Sequence, residues 1–257
     1  MKILVTGHMG FIGSHMVRAL KDQHEIVTYE YGDGWPTIHG LDWIIHLGAI
    51  SSTTERDVDK VMSQNYDSSV ALYREARHFG VNFQFASSAS VYGLGTEFKE
   101  TSPVDPRTPY AWSKYMFERY VQQHRPSGSF VQCFRYFNVY GPDGETHKGN
   151  QASPFYQFSK QAAETGQIKV FENSDQYLRD FISVDQIVNT HIKFFDVNDS
   201  GIWNLGTGNP ISFLDVAKKF STNIVEIPMP SILKDSYQKY TCADVTKLNE
   251  TIGKISS

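Results

Sequence analysis

The sequence predicts an α/β fold in which a doubly wound, mostly parallel sheet is followed by a smaller C-terminal lobe. Three observations support this prediction. Short apolar runs rich in β-branched residues alternate with helical patterns, a glycine-rich turn follows the first of these runs, and the alternation weakens after Gly141-Pro142. Such alternation is typical of βαβ units, whose parallel strands are buried on both faces.

Five segments of the first half are short, apolar and rich in β-branched or aromatic residues, which predicts strands. These segments are Lys2–Thr6, Ile26–Tyr29, Trp43–Leu47, Phe83–Ala86 and Phe130–Tyr136. The segments between them place apolar residues three and four positions apart, which predicts helices. The predicted helices are Phe11–Lys21, Val58–Phe79 and Ala111–His124.

The connection between the second and third predicted strands is short. Only residues 30–42 separate Tyr29 from Trp43. This length is too small for the extra strand–helix unit that larger folds of this kind place there. The sheet is therefore expected to be one strand shorter on that edge.

Beyond residue 149 the chain is richer in loops, with short strands predicted at Ile168–Glu172 and Ile224–Pro228. We therefore expect a first domain over residues 1–149 and a lobe formed mainly by residues 150–257. Segments around residues 179–195 are expected to return to the first domain.

The composition is that of an ordinary globular protein, with 40% hydrophobic and 20% charged residues and a net charge of -4. This charge gives no reason to expect nucleic acid or an anionic membrane as a partner. Cys133 and Cys242 are far apart, which predicts no disulfide framework and favours a reducing compartment. His46 and His147 have no partner at metal-ligand spacing, so no metal is expected. Without a signal sequence or a membrane-length apolar run, a cytoplasmic location is expected.

The motif Gly7-His8-Met9-Gly10-Phe11-Ile12-Gly13 follows the first strand and opens the first helix. Glycines at these positions allow a tight turn and let the backbone approach a pyrophosphate at the helix N-terminus. The spacing is typical of the short-chain dehydrogenase branch of Rossmann-like folds. We therefore predict that residues 1–149 bind NAD or NADP, with contacts from Gly7, Gly10, Phe11, Ile12 and Gly13.

A carboxylate follows the second predicted strand, in the run Tyr29-Glu30-Tyr31-Gly32-Asp33. An acidic side chain here bonds the adenosine ribose hydroxyls and repels a 2′-phosphate. Glu30 is the predicted residue and Asp33 is its rival, which slightly favours NAD over NADP. The alternative is that Glu30 is a solvated charge at a strand end.

Tyr110 and Lys114 are four residues apart and therefore lie on one face of the third predicted helix. The ammonium group can lower the pKa of the tyrosine from its usual value of about 10, which would make Tyr110 a base near neutral pH. Serines follow the fourth predicted strand at the carboxyl edge of the sheet, where a hydroxyl can bond a substrate oxygen. Ser88 is the first candidate and Ser90 the second.

Taken in this order, the motifs resemble the extended short-chain dehydrogenase/reductase family of nucleotide-sugar epimerases and dehydratases. The resemblance extends over nearly the whole chain and rests on the glycine motif, His46-Leu47-Gly48-Ala49, residues 87–93, the Tyr110/Lys114 pair and residues 135–142. It implies a nucleotide-sugar substrate and a homo-oligomer. It also implies a nicotinamide cofactor in contact with Tyr110, Lys114, Leu47, Gly48 and Ala49.

A narrower resemblance, to ADP-L-glycero-D-manno-heptose 6-epimerases, rests on residues 51–55, 147–149, 171–174, 179–181 and 237–241. It implies inversion at C6 of the heptose through a 6-keto intermediate, with one proton donor or acceptor on each face of the ketone. Lys148 would act opposite Tyr110, while Ser88 orients the reacting oxygen. The implied substrate contacts are Ser88, Lys148, Asn138, Arg179 and Tyr237.

Several alternatives stay open. Arg179 can form a structural ion pair with Asp180, and Lys148 can be a solvated charge. A UDP-hexose 4-epimerase would use the same tyrosine and serine, and a non-catalytic NAD(P)-binding protein would keep the same fold. A dehydratase is disfavoured because Ala89-Ser90 stands where that class has Asp-Glu. Two departures from the family pattern are the missing strand–helix unit and a loop at residues 143–146 that is one residue longer.

Overall fold

The computed structural model of the protein describes residues 1–230 and 238–255. Its central element is a six-stranded sheet with the strand order β2-β1-β3-β4-β5-β10, in which all neighbouring strands are parallel. The strands are β1 (Lys2–Thr6), β2 (Glu25–Tyr29), β3 (Trp43–His46), β4 (Asn82–Ser88), β5 (Val131–Tyr136) and β10 (Gly201–Leu205). The predicted doubly wound α/β class is confirmed.

The shortened edge of the sheet is also confirmed, since β2 is the outermost strand on that side. Every residue of β3 is buried, whereas only Tyr29 is buried in β2. This difference is expected because a central parallel strand is covered on both faces and an edge strand is not. Thr6 pairs with both Tyr29 and His46, so β1, β2 and β3 end at the same level of the sheet.

Helices cover both faces of the sheet. Helix α1 (Phe11–Leu20) and helix α6 (Val184–Lys193) lie on one face, where Met16 and Val188 pack with Ile3 and Val5 of β1. Helices α3 (Ser68–Phe79) and α4 (Pro109–Gln123) cover the opposite face with Leu72 and Phe117. Both layers are needed because a parallel strand exposes apolar side chains on alternate sides.

The segment predicted as one helix over Val58–Phe79 is divided in the structure. It consists of α2 (Val58–Val61), a π-helical stretch at Met62–Asp67, and α3. Asn65 lies inside the π-helical stretch, and its buried side chain accepts a hydrogen bond from the Ile50 N–H at 2.8 Å and donates to the Ile50 carbonyl at 3.0 Å. The wider turn thus places an amide against the loop after β3, a contact that apolar periodicity does not reveal.

Among the described residues, the smaller lobe contains short paired strands and two helices. Its elements are β6 (Asn138–Tyr140) with β9 (Phe181–Ser183), β7 (Ile168–Phe171) with β12 (Ile224–Ile227), β8 (Leu178–Arg179) with β11 (Ile211–Ser212), α5 (Pro154–Thr165) and α7 (Phe213–Lys218). Strands β7 and β12 lie where short strands were predicted. The last helix, α8 (Thr246–Ile255), packs on β10.

Parts of the chain beyond residue 149 contribute to the main sheet and its layers. Helix α6 packs against α1, and β10 pairs with β5 at the edge of the sheet opposite β2. Strand β10 was not among the strands predicted from the sequence, and the domain boundary at residues 149 and 150 stays a prediction. No helix within the described ranges has the length and apolar character required to span a bilayer.

Candidate active site

A cavity of about 340 Å³ opens at the carboxyl ends of β1, β3, β4 and β5. It lies where the strand order reverses between β1 and β3, which is the position where open parallel sheets bind ligands. Its lining residues are Gly7, Gly10, Phe11, Ile12, Gly13, Glu30, Leu47, Gly48, Ala49, Ser51, Ala86, Ser87, Tyr110, Lys114, Tyr136 and Lys148. The cavity therefore brings together all the residues predicted to contact a cofactor.

The glycine motif forms a turn that excludes side chains from this end of the cavity. Gly7 has φ +69, and a Cβ added there would lie 2.6 Å from the Gly48 backbone. A Cβ on Gly13 would lie 2.0 Å from the Gly7 carbonyl oxygen. Gly10 is the N-cap of α1, so the first N–H groups of this helix face the cavity without a capping side chain. This cradle fits a pyrophosphate, because a helix N-terminus attracts an anion that can approach the bare backbone.

Glu30 lies beside this turn. Its Oε1 accepts a hydrogen bond from the Met9 N–H at 2.8 Å and lies 3.2 Å from His8 Nδ1. Glu30 also lines a neighbouring hollow of about 390 Å³, which shares Gly48 and Ala49 with the first cavity. Its rival Asp33 instead accepts a hydrogen bond from the Glu30 N–H at 3.0 Å. Of the two carboxylates, Glu30 is therefore the one that lines both cavities.

Helix α4 positions Tyr110 and Lys114. Its N-terminus is fixed by Pro109 in the first turn and by the Thr108 hydroxyl, which accepts a hydrogen bond from the Ala111 N–H at 3.1 Å. One turn separates Tyr110 from Lys114, whose Nζ lies 5.7 Å from the tyrosine ring centroid and 4.7 Å from that of Phe85. Both side chains line the cavity.

The pKa values in this pair differ from the prediction. Burial raises the pKa of Tyr110, and the hydrogen bond with Ser88 opposes this shift. Burial also lowers the pKa of Lys114 to about 7. Desolvation therefore dominates both groups, and the expected lowering of the Tyr110 pKa by the ammonium is not seen. The physical reason is that both side chains are largely withdrawn from water, which disfavours both charged forms.

The serines after β4 have different environments. Ser88 ends the strand and bonds Tyr110, while its Oγ also accepts a hydrogen bond from the Ser90 N–H at 3.1 Å. Ser87 lines the cavity but donates its hydroxyl to Glu118 at 2.5 Å. The Ser90 Oγ is buried without a hydrogen-bond partner among the described residues. Ser88 is thus the serine best placed to act with the tyrosine.

Lys148 reaches the cavity from the loop between β6 and α5. Its Nζ lies 4.1 Å from the centroid of the Phe11 ring and 3.6 Å from Glu145 Oε2. Burial lowers the pKa of Lys148, and the Glu145 carboxylate opposes this shift. The lysine is therefore not a solvated surface charge, and it lines the same cavity as Tyr110.

The remaining predicted substrate residues lie towards the lobe. Arg179 is buried, donates to the Leu178 carbonyl at 2.9 Å and lies 5.5 Å from the Phe213 ring centroid. Phe213 lines a second cavity, of about 630 Å³, between α5, β7 and α7. The Asn138 side chain is exposed at the start of β6. Tyr237 lies outside the described residues.

Asp180, the proposed ion-pair partner of Arg179, is fully buried and accepts hydrogen bonds from residues of two loops. Its Oδ1 accepts from the Thr207 N–H at 2.8 Å and the Thr207 hydroxyl at 2.6 Å. Its Oδ2 accepts from the Gly208 N–H at 2.9 Å and the Ala243 N–H at 3.0 Å. Asp180 therefore fixes the strand that presents Arg179.

Tyr136 also lines the cavity, although no site role was predicted for it from the sequence. Its hydroxyl contacts His191 Nε2 at 2.5 Å, and His191 Nδ1 contacts Gln84 Oε1 at 2.7 Å. All six residues of β5 are buried, so the strand pattern does not distinguish Tyr136 from a core residue. Within the part of the chain that the structure describes, no group of His, Cys, Asp or Glu side chains is arranged to hold a metal ion.

A parallel sheet with a glycine cradle at its switch point and a Tyr–Lys pair facing it defines a dinucleotide-binding enzyme of the short-chain dehydrogenase class. The chain matches the NAD dependent epimerase/dehydratase family over residues 3–31 and 34–206. It belongs to this family. Membership confirms the resemblance found in the sequence and the nicotinamide cofactor.

Similarity to individual proteins extends over almost the whole chain. The chain is 35% identical to an ADP-L-glycero-D-manno-heptose-6-epimerase of Brachyspira hyodysenteriae, over 96% of this chain and 90% of that protein. The Helicobacter pylori enzyme of the same name has a TM-score of 0.85 at 23% identity, covering 98% and 90% of the two chains. A UDP-glucose 4-epimerase of Thermotoga maritima has a TM-score of 0.83 at 25% identity, covering 98% and 93%.

Proposed function

We propose that the protein is a nucleotide-sugar epimerase that inverts C6 of an ADP-glycero-manno-heptose through a 6-keto intermediate. The observation that supports this most strongly is a single cavity lined by the glycine cradle, by Tyr110 with Lys114, and by Lys148. Two groups that can exchange protons thus share the space beside the cofactor cradle. The 35% identity to a heptose 6-epimerase over 96% of the chain supports the choice of substrate.

The residues divide the chemistry between them. Tyr110 removes the proton of the C6 hydroxyl, whose oxygen Ser88 orients, as the C6 hydride leaves. A nicotinamide held by the glycine cradle would supply the acceptor for this hydride and the donor for its return. The ketone rotates about its C5–C6 bond, and Lys148 protonates the oxygen when the hydride returns to the opposite face. Each turnover therefore leaves the cofactor unchanged.

The cofactor and substrate occupy different parts of the molecule in this proposal. The glycine cradle would hold the cofactor pyrophosphate, and Glu30 would bond the adenosine ribose, which favours NAD over NADP. The lobe cavity, with the apolar walls of Phe171 and Phe213, would take the nucleoside of the substrate. Arg179 beside Phe213 would bind the diphosphate as a planar fork, with Asn138 and Tyr237 as further contacts.

We also propose that the protein is a cytoplasmic homo-oligomer. Cys133 and Cys242 are free thiols, which fits a reducing compartment. Trp112 and Met116 lie one turn apart on α4 and are 47% and 36% exposed, which fits a surface that a second copy covers. Light scattering of the purified protein would measure the oligomeric state directly.

Incubation of the purified protein with ADP-D-glycero-D-manno-heptose tests the proposed reaction, with NAD and NADP added in separate samples. NMR of the C6 proton should show conversion towards a mixture of the two epimers. Absorbance at the wavelength of reduced nicotinamide should stay constant, because the hydride returns to the sugar in each turnover. Tyr110→Phe is the inactive control.

A UDP-hexose 4-epimerase is the second candidate, because the Thermotoga maritima enzyme shares the fold at a TM-score of 0.83. The same experiment with UDP-glucose distinguishes the two functions. Conversion of UDP-glucose but not of the heptose substrate would assign the C4 reaction. A protein that binds NAD and converts neither sugar would contradict the catalytic proposal and support a non-catalytic NAD(P)-binding protein.

A further inference from the structure

The loop that presents Lys148 contains a carboxylate with no exposed surface. Glu145 is 0% exposed and lies three residues before Lys148, between β6 and α5. A carboxylate is almost never fully buried without partners, because removal from water strongly disfavours its charge. The contacts of Glu145 therefore indicate what its charge does in this protein.

Three of these contacts are hydrogen bonds that fix the loop. Glu145 Oε1 accepts from the Ser153 hydroxyl at 2.7 Å and from the Gly141 N–H at 3.4 Å. Glu145 Oε2 accepts from the Ser153 N–H at 2.7 Å. Ser153 is the N-cap of α5, and Gly141 follows β6, so the carboxylate joins both ends of the loop. These are neutral donors, and they leave the negative charge unbalanced.

The charge is balanced by Lys148, whose Nζ lies 3.6 Å from Glu145 Oε2. On its other side the ammonium faces the Phe11 ring, at 4.1 Å from the centroid. The side chain is held by a carboxylate and an aromatic face, both of which favour a cation at this point.

The other charged or titratable groups near Lys148 occupy different positions. Across the cavity are Glu30, Tyr110, Lys114 and Tyr136. On the same loop, Asp143 is engaged by α1, with His15 Nε2 at 2.7 Å and Arg18 Nη1 at 3.4 Å. The acidic group paired with the lysine is thus Glu145.

We propose that Glu145 is a positioning residue that holds the Lys148 ammonium against the Phe11 ring at the cavity wall and keeps it charged between proton transfers. The role of Lys148 as acid and base rests on the proposed function. The contacts that position it do not depend on that function. Because the same carboxylate accepts hydrogen bonds from the N-cap of α5, one group fixes both the position of this helix and the position of the Lys148 ammonium.

The test measures the pKa of Lys148 itself. The full-length protein is labelled with [¹³Cε]lysine, the Lys148 signal is assigned by its absence in Lys148→Arg, and its chemical shift is followed against pH. An opposite charge within about 4–6 Å shifts a pKa by about 1–3 units. Glu145→Gln should therefore lower the Lys148 pKa by at least about one unit. The limb of the pH–rate profile that belongs to Lys148 should move to lower pH by the same amount.

Two control variants separate charge from other effects. Ser153→Ala removes the hydroxyl that donates to Glu145 but leaves both charges, and it should keep the Lys148 pKa near the wild-type value. Glu164→Gln removes the same charge from an exposed ion pair on α5, and it should have no effect on Lys148. If Glu145→Gln does not fold, Glu145→Asp retains the charge at a greater distance and should give a smaller decrease in the pKa.

A Lys148 pKa in Glu145→Gln equal to that of the wild type would overturn the proposal. An equal decrease in Ser153→Ala would also overturn it, since loop packing rather than charge would then be responsible. The titration needs no substrate. A protein that shows the predicted decrease but epimerises no sugar would support the positioning role and contradict the proposed function, so the two failures are distinguishable.

Discussion

Replacement of Tyr110 by phenylalanine removes one oxygen and leaves the ring in the cavity wall. The lost hydroxyl is the group bonded to Ser88, and general acid–base catalysis by one side chain contributes about 10²–10⁴-fold. At about 1.4 kcal/mol per factor of ten, the activation barrier should rise by roughly 3–5 kcal/mol. NAD should remain bound, because the glycine cradle, Glu30 and Lys114 are unchanged.

The assay combines C6 epimer conversion by NMR with calorimetric titration of NAD. Tyr73→Phe is the matched control, since the Tyr73 hydroxyl is buried and donates to the His124 carbonyl at 2.8 Å, away from the cavity. This control should lose about 1 kcal/mol of unfolding free energy and retain turnover. Wild-type turnover in Tyr110→Phe would refute the assignment of Tyr110 as the base.

Three further predictions concern the cradle, the lobe and pH. Gly13→Ala places a Cβ 2.0 Å from a backbone oxygen, so it should cost about 1–3 kcal/mol of stability and weaken NAD binding in calorimetry, whereas Gly253→Ala, with no atom within 4 Å, should do neither. Asp180→Asn replaces an acceptor oxygen by a donor among four hydrogen bonds and should cost about 3 kcal/mol in urea unfolding, with full stability contradicting the role of the carboxylate. Burial lowers the pKa of His46 and His191 to about 3, so unfolding takes up two protons below the usual pKa of 6.5. The free energy of unfolding should therefore decrease by roughly 3 kcal/mol per pH unit as the pH falls below 6.5, and equal urea midpoints at pH 7 and pH 5 would contradict this linkage.

The cofactor end of the site could be predicted because the residues that form it follow short sequence patterns. The turn at Gly7 and the close approach at Gly13 both require glycine at fixed spacing after a strand, and the Tyr110–Lys114 pair needs only one helical turn. The shortened edge of the sheet, where β2 is the outermost strand, also followed from the short connection at residues 30–42. Contacts between residues that are close in the chain depend on the number of residues between them, and this number is visible in the sequence.

The contacts that could not be predicted join residues far apart in the chain or depend on burial. Asn65 bonds Ile50 only because a helix widens into a π turn, and the periodic pattern is the same without it. The hydrogen bonds of Glu145 with Ser153, the N-cap of α5, depend on complete burial of this carboxylate, which its position in the sequence does not reveal. The pKa of Tyr110 was expected to be lowered by Lys114. It is instead raised by burial of the tyrosine, and the opposing effect of the hydrogen bond with Ser88 is smaller.

The absence of a strand–helix unit after β2 shortens one edge of the sheet and does not change the carboxyl ends of the strands that line the cavity. The connection at residues 30–42 covers the edge itself, since Ile38 and Leu41 are buried in the same core as Leu72. Trp35 adds a hydrogen bond from its Nε1 to Glu75 at 2.8 Å, which ties this connection to α3. At the carboxyl end of a parallel sheet, each loop follows its own strand. The residues that follow β1, β4 and β5 therefore line the cavity regardless of the number of strands beyond β2. Truncation of this edge therefore affects the surroundings of Glu30, where we propose that the adenosine binds, before it affects the residues proposed to transfer protons.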